Sequence, residues 1–207
     1  ADDARSIYRM GDIFDFWFEY KRVVPQGFVR VLGRLAALAD KGVELHMFIG
    51  NHDMWCGDYL SRECGVTLHF KPEVVELAGL RLHLAHGDNM NIKRQPMLRL
   101  MNAVFHSSVA RWLFRWLIHP DLAMKFGRWW SGKSRKSHSK SNITVDNLSF
   151  LVEYARQHHA SHSATDAYLF GHMHLAHDYR EESLRVMFLS DWSSDVAQYI
   201  LLDERGE

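Results

Sequence analysis

The sequence predicts an α/β protein built as a two-sheet β-sandwich flanked by helices, with a helical lid inserted into it. Three observations predict this class: short alternating or apolar runs that end at Gly, amphipathic segments between them, and a long stretch of helical period. We expect a core of residues 1–89 and 142–207 and a lid of residues 90–141. A chain of 207 residues, 47% of them hydrophobic, is long enough to bury one such core.

The bulk composition excludes little about partners. Lys+Arg and Asp+Glu are balanced at 25 each, so the net charge favours no class of ligand. The two cysteines make no disulfide framework and fit a reducing compartment. No apolar run reaches about 18 residues, so we expect no membrane-spanning helix. Fourteen histidines are many for this length and invite a search for metal sites.

Local patterns then predict each element in turn. Before the lid we expect strand 6–10, helix 27–41, strand 44–49, short helix 59–63 and strands 67–70, 73–77 and 80–85. Gly42 ends the first helix, and an Ala78-Gly79 turn joins the last two strands. After the lid we expect helix 146–158 and strands 167–170, 178–181, 184–190 and 196–202.

Four of the predicted strands end at side chains that can bind metal. These strand-end residues are Asp12, Asn51 with His52, His86, and His172 with His174. Neighbouring strands end side by side in a sheet, so we expect these side chains to converge. Oxygen donors mixed with imidazoles suit ions such as Mn²⁺, Fe²⁺, Zn²⁺ or Mg²⁺. Two imidazoles in a His-x-His loop can point to different ions, which fits a two-metal site.

The ordered set of motifs resembles the calcineurin-like metallophosphoesterase superfamily. The motifs are Gly11-Asp12-x-x-Asp15, Gly50-Asn51-His52-Asp53, His86-Gly87-Asp88 and Gly171-His172-x-His174. The resemblance implies that Asp12 bridges two metal ions. It also implies that Asn51, His86 and His172 complete the ligand set of one ion and that His174 binds the other. Catalytic His52 would face the scissile phosphate.

One motif of that superfamily has no counterpart here. Its members open with a strand that ends in Asp-x-His, which supplies the remaining ligands of the first metal. Nothing before Asp12 matches, so we expect a preceding strand and helix upstream of Ala1.

The chemistry explains the residue types. Two metal ions activate a water and neutralise charge on the phosphoryl oxygens. Asn51 is a neutral ligand that keeps the site positive, and His52 can donate a proton or hydrogen bond to a phosphoryl or leaving oxygen. Asp15, Asp53 and Asp88 either orient imidazoles and loop amides or simply cap turns.

The inserted segment is strongly basic and rich in aromatic residues. Between Lys93 and Lys140 there are eleven Lys and Arg residues and one acid, Asp121. The aromatic residues are Trp112, Phe114, Trp116, Phe126, Trp129 and Trp130. This composition favours a substrate with anionic and apolar parts at an anionic membrane surface. A cap that packs its aromatics into its own core is the alternative, and the apolar density argues against nucleic acid.

Further details resemble the UDP-2,3-diacylglucosamine pyrophosphohydrolase family of lipid A biosynthesis. They are the run Gly11–Trp17, Ala85-His86-Gly87-Asp88 and the lid between the third and fourth motifs. The resemblance implies hydrolysis of UDP-2,3-diacylglucosamine to 2,3-diacylglucosamine 1-phosphate and UMP, with a Mn²⁺ pair. It also implies an enzyme on the cytoplasmic face of the bacterial inner membrane. Nucleotide or phosphate contacts are expected at Lys140, Arg135 and Ser134.

Two alternatives stay open. Many members of that family have Arg where His52 stands, so another phosphoesterase, acting on a nucleotide, phosphoprotein or phospholipid, is the first. The second is a non-catalytic membrane-binding relative on the same scaffold.

Overall fold

The computed structural model describes residues 3–90, 103–104, 107–140, 144–192, 198–203 and 205–206, without the side chains of 130 and 133–140. The chain divides into two compact units. The first comprises Ala1–Phe70 and Ile92–Lys140, and the second comprises Lys71–Asn91 and Ser141–Glu207.

The first unit contains a three-stranded parallel sheet. Its strands are β1 (Ser6–Arg9), β2 (Glu44–Phe48) and β3 (Val66–His69), in the order β1-β2-β3. The register pairs Ser6 with Glu44 and Leu45 with Val66. Leu45 and Met47 alternate along β2 and are both buried in the same apolar cluster. One face of the sheet is therefore a core face.

Two helices complete that core. They are α1 (Val29–Asp40) and α2 (Tyr59–Cys64), and they bury Leu35, Leu38 and Leu60 in the same cluster as β2. Gly65 ends α2 in a left-handed conformation with φ of 66°. A Cβ built on Gly65 would lie 2.7 Å from the Cβ of Ala39, so the turn needs glycine for its conformation and for the approach of α1.

The inserted segment contributes two helices to the first unit. Helix α3 (Ser108–Leu117) begins at Ser107, whose side chain accepts a hydrogen bond from the amide of Ala110. Helix α4 (Pro120–Lys140) begins at proline, whose missing N–H is not needed in a first turn. The sequence predicts helices here, and they form, while residues 91–102 lie outside the described part of the chain. The predicted division into core and lid stays a prediction.

The second unit contains a five-stranded mixed sheet. Its strands are β4 (Glu73–Leu77), β5 (Leu80–Ala85), β6 (Ala167–Phe170), β7 (His177–Glu181) and β8 (Leu184–Phe188). They lie in the order β4-β5-β6-β8-β7, with parallel pairs on both sides of β6 and an antiparallel hairpin at each edge. Ala78 and Gly79 both have positive φ, which suits the tight turn between β4 and β5.

In the described part of this unit, one long helix packs on the sheet. Helix α5 (Ser149–Ser161) follows a 3₁₀ turn (Val145–Leu148) that starts with a Thr144–Asn147 capping box. Leu151 and Ala155 of α5 pack with Phe170 and Val186 of the sheet, and all four side chains are at most 2% exposed. The core of the second unit thus lies between α5 and the central strands.

The predicted class is confirmed as mixed α/β with two sheets that carry helices. The strands over 73–77, 80–85 and 167–170 have the bounds that the sequence predicts. The strand predicted over 196–202 is wrong within residues 198–202, which are irregular. There Tyr199 and Leu201 are 72% and 74% exposed, and the Gln198 carbonyl accepts from the indole of Trp192. Among the described helices, none is both long enough and apolar enough to cross a bilayer.

Candidate functional site

The loop after β1 brings Asp12 into a conformation that few residues adopt. Gly11 and Asp12 both have positive φ, of 91° and 52°. Aspartate is among the few side chains that tolerate this region, because its short polar group can bond locally. The Oδ1 atom of Asp12 accepts a hydrogen bond of 2.9 Å from the amide of His52. A predicted metal ligand thus lies directly beside the second motif.

Gly50 lets the two loops approach each other. A Cβ built on Gly50 would overlap Oδ1 of Asp12 and lie 2.8 Å from the Asp12 amide nitrogen. No side chain fits at this position without moving one of the loops. The glycine of the second motif is therefore a requirement of the site as well as the end of a strand.

Asp53 binds the backbone of the first loop through hydrogen bonds. Its side chain is fully buried, and its carboxylate accepts from the amide of Ile13 at 3.1 Å and from that of Phe14 at 3.3 Å. Charge-assisted hydrogen bonds of this kind are stronger than neutral ones and fix geometry. Of the two interpretations of Asp53, the structure supports orientation of loop amides.

His52 is oriented by the same loop. Its Nδ1 atom lies 2.7 Å from the carbonyl oxygen of Asp15. A carbonyl only accepts, so Nδ1 carries a proton and Nε2 remains for another partner. The backbone amide of Trp17 donates to the carbonyl of His52 at 3.1 Å, which ties the two loops together a second time. Asn51 precedes His52 in the same half-exposed turn.

The second unit brings together the predicted histidine ligands that follow β5 and β6. His86 is buried, and its ring centroid lies 5.1 Å from that of His172 at an angle of 69°. The amide of Gly171 donates to the carbonyl of His86 at 3.0 Å, which links the two strand ends. His172 and His174, the two predicted ligands of the last motif, both have left-handed backbone conformations, with φ of 55° and 54°.

The hydrogen-bond partner of His174 is not among the residues that the sequence predicts. Asp191 follows β8, and its carboxylate accepts a hydrogen bond of 3.1 Å from Nδ1 of His174. A carboxylate that accepts a hydrogen bond from a histidine ring is the arrangement that orients histidine ligands in metal sites. The only sequence signal was an acid directly after a strand end.

The remaining predicted residues are less informative. Asp88 lies in the turn after His86. Ser134, Arg135 and Lys140 belong to α4, and their side chains lie outside the described part of the structure.

Comparison with known proteins identifies the family. No family model matches the chain. The UDP-2,3-diacylglucosamine hydrolase of Porphyromonas gingivalis is 41% identical over 203 residues, which cover 92% of this chain and 77% of that protein. The chain belongs to the UDP-2,3-diacylglucosamine hydrolase family.

More distant relatives carry the same name. The UDP-2,3-diacylglucosamine hydrolase of Haemophilus ducreyi is 28% identical, with 98% of this chain and 84% of that protein covered. Among solved structures, a Vps29 variant from Entamoeba histolytica aligns with a TM-score of 0.35 and 12% identity, over 93% of this chain and 77% of that one. The predicted resemblance to the UDP-2,3-diacylglucosamine hydrolase family is confirmed by the sequence relatives alone.

Proposed function

We propose that this protein hydrolyses the pyrophosphate bond of UDP-2,3-diacylglucosamine and releases 2,3-diacylglucosamine 1-phosphate and UMP. One observation carries the proposal: the 41% identity to a UDP-2,3-diacylglucosamine hydrolase over almost the whole chain. The motifs at Asp12, Asn51, His86 and His172 supply the residue types that a phosphate-cleaving centre needs.

The donor set fits divalent metal ions. Asp12 offers a carboxylate, Asn51 an amide oxygen, and the second unit offers imidazoles, one of them oriented by Asp191. We propose that Asp12 bridges two ions, that Asn51, His86 and His172 hold one, and that His174 holds the other, with Mn²⁺ as the ion in use. When bound, such a pair activates the attacking water and neutralises charge on the phosphoryl oxygens.

His52 has the chemistry of a hydrogen-bond donor to the reacting phosphate. Its Nδ1 proton is committed to the carbonyl of Asp15, so only Nε2 can reach the substrate. As an imidazolium, this ring donates from Nε2 and adds a positive charge where negative charge develops. The leaving group of the proposed reaction is a sugar phosphate, which departs readily. A cationic donor therefore suffices, and complete proton transfer is not required.

The inserted helices suit the lipid part of that substrate. On α3, Trp112, Trp116 and Leu117 are 58%, 76% and 71% exposed, and on α4 Trp129 is 58% exposed. Large apolar side chains grouped on a surface mark an interaction site. With the excess of Lys and Arg around them, they support an anionic membrane surface on the cytoplasmic side as the place of action. We propose phosphate or nucleotide contacts for Ser134, Arg135 and Lys140.

UMP release from UDP-2,3-diacylglucosamine with added Mn²⁺ tests the proposal. We expect turnover by the natural chain and a loss of about 100-fold or more in Asn51→Ala and His172→Ala, because each loses a metal ligand. His119→Ala is the control, since this side chain is 69% exposed on the inserted segment and should change activity little. Activity of Asn51→Ala comparable to that of the control would refute the metal assignment.

A second candidate function rests on His52. A histidine oriented through Nδ1 is also suited to protonate an alkoxide, the leaving group of an ordinary phosphodiester. Turnover of an aryl phosphodiester without release of UMP from the diacylated UDP-sugar would favour this wider phosphoesterase function. No turnover of either substrate would favour the non-catalytic alternative.

A further inference from the structure

Helix α3 packs one side chain against both of the loops that carry Asp12 and His52. The ring of Phe114 lies 4.8 Å from that of Phe18 and 4.9 Å from that of Trp55, between ring centroids. Phe18 and Trp55 are themselves 4.8 Å apart and joined by a parallel backbone bridge. Both are buried, at 1% and 6% exposure. Phe114 thus closes a three-ring cluster that contains a residue from each loop.

Polar contacts beside this cluster fix the same helix. The Cζ atom of Arg115 lies 5.9 Å from the centroid of the Phe18 ring, and the hydroxyl of Tyr20 donates to the carbonyl of Ile118 at 2.7 Å. These contacts restrict the orientation of α3, which apolar packing of Phe114 alone would not fix, because hydrogen bonds and cation–π contacts have preferred geometries. They join the end of α3 to the segment that follows Asp12.

A buried carboxylate directly follows Phe18, one of the three rings of the cluster. Glu19 is 4% exposed and accepts from Nε1 of Trp17 at 2.9 Å and from the amide of Tyr59 at 3.2 Å. A Cβ built on Gly57 would overlap Oε2 of Glu19 and lie 3.7 Å from Nη2 of Arg115. The guanidinium and the carboxylate therefore flank the same glycine, and the chain after His52 passes close to both.

Helix α4 makes a second close approach to the first loop. A Cβ built on Gly127 would overlap the ring of Phe16, with Cε1 at 2.6 Å. Gly127 is buried within α4, so only glycine lets this helix lie directly on Phe16. Phe16 is four residues after Asp12, which places the contact next to a proposed metal ligand.

We propose that Phe114 is a positioning residue for hydrolysis. It holds the Asp12 loop and the His52 loop in their relative positions, through Phe18 on one side and Trp55 on the other. The inference rests on the proposed function, because it assigns the inserted helix a role in the reaction centre in addition to lipid binding. Trp112 and Trp116 of the same helix are exposed, and among the described residues their rings contact each other and no ring of these loops, so they provide matched controls.

Two substrates separate positioning from lipid binding. Displacing reacting groups by about 1 Å can cost about 100-fold in rate. We therefore expect Phe114→Ala to lower kcat about 10-fold or more on UDP-2,3-diacylglucosamine and on bis(p-nitrophenyl) phosphate, with little change in KM on the small diester. Phe114→Leu, which retains an apolar side chain, should recover most of the rate. Trp112→Ala should weaken turnover of the diacylated substrate alone.

Hydrogen exchange provides a readout that does not depend on activity. In Phe114→Ala we expect faster exchange in peptides covering residues 12–18 and 50–56, and in Trp112→Ala no change there. A rate loss in Phe114→Ala confined to the diacylated substrate, or unchanged exchange in both peptides, would overturn the proposal. If Phe114→Ala does not fold, Phe114→Val is tested in its place, because it also removes the ring contacts with Phe18 and Trp55, and it should show the same loss on the small diester.

The two proposals fail in different ways. If the natural chain cleaves the small diester but releases no UMP, the proposed function fails and the role of Phe114 is judged on the diester. If the natural chain cleaves neither substrate, the exchange comparison alone decides whether Phe114 holds the two loops.

Discussion

At the scale of single residues, the candidate site depends on two residues that carry none of the proposed chemistry. Gly50 lets the second loop touch Asp12, and Asp53 binds the amides of the first loop from a fully buried position. Both residues help to determine the positions of Asp12 and His52. Their substitution therefore tests whether the geometry of these loops matters to the reaction.

Gly50→Ala should remove most activity from a protein that still folds. The added methyl overlaps the Asp12 carboxylate, and overpacking of this kind costs about 1–3 kcal/mol of stability. A displacement of about 1 Å at Asp12 predicts a loss of about 100-fold in kcat. Steady-state kinetics and urea unfolding measure the two effects.

Gly33→Ala is the matched control for this substitution. Gly33 lies inside α1, and a Cβ there meets nothing within 4 Å. Alanine in a helix interior is favoured over glycine by about 1 kcal/mol, so we expect unchanged kinetics and a small gain in stability. Unchanged kinetics in Gly50→Ala as well would show that the close approach is not needed.

The sequence predicts the candidate ligands better than it predicts their supports. Asp12, Asn51 and the histidines follow predicted strands, so their position along the chain is informative. Asp191 pairs with His174 across 17 residues, and Asp53 reaches back 40 residues to Ile13. Such contacts depend on how strand ends meet in space, which no local pattern encodes.

At the scale of elements, a strand is well predicted where a continuous apolar run is followed by a glycine turn. Strand β6 is buried throughout and has its predicted bounds, since it lies at the centre of the sheet. Residues 196–202 have an equally apolar composition, but their described part forms no strand and leaves Tyr199 and Leu201 exposed. Composition indicates that a segment can pair, but tertiary structure decides whether a partner edge is available.

Strand β5 and helix α5 enclose a histidine that is not among the proposed metal ligands. His83 is 2% exposed, and its Nε2 lies 3.3 Å from the hydroxyl of Tyr154. The rings of His158 and Tyr168 lie 4.7 and 5.1 Å from it. Burial first, and then the nearby charges of His158 and His162, lower the pKa of His83 to about 4.

This histidine predicts a loss of stability in mild acid. Its unfolded pKa is about 6.5, so between pH 6.5 and 4 the unfolded chain binds a proton that the native state does not. Stability is therefore full above that window, falls as the pH decreases through it, and loses nothing more from this group below it. Between pH 7 and pH 5 we expect a contribution of about 2 kcal/mol.

Urea unfolding at pH 7, 6 and 5 checks this contribution. His83→Gln keeps a polar side chain but cannot titrate, so its stability should fall less steeply with acid than that of the natural chain. His119→Gln, at an exposed position, should follow the natural chain. Parallel curves for the natural chain and His83→Gln would contradict the prediction.

At the scale of the whole molecule, charge is unevenly divided along the chain. The segment from Lys93 to Lys140 carries a net charge of about +10, because eleven basic residues face one acid, and the rest of the chain carries the balance. The overall net charge of zero therefore hides a basic segment that also exposes Trp112, Trp116 and Trp129. This combination is typical of proteins that lie on anionic lipid.

Sedimentation with vesicles tests this consequence of the charge distribution. We expect binding to vesicles that contain phosphatidylglycerol, weak binding to pure phosphatidylcholine, and release by high salt, which screens surface charge. Trp116→Ala should weaken the binding about 10-fold, because burying a large apolar side chain contributes about 1.5–3 kcal/mol. Equal binding to both kinds of vesicle would contradict an electrostatic contribution.

The left-handed backbone at Asp12, His172 and His174 restricts which side chains can stand at these three proposed ligand positions. Each costs an ordinary residue about 1–2 kcal/mol, and the residue types enriched there, Asn, Asp and His, also carry ligating atoms. A redesign toward a softer metal would place cysteine at these positions and would pay for the sulfur with backbone strain. The side chains that could replace these proposed ligands are thus limited by main-chain conformation as much as by ligand chemistry.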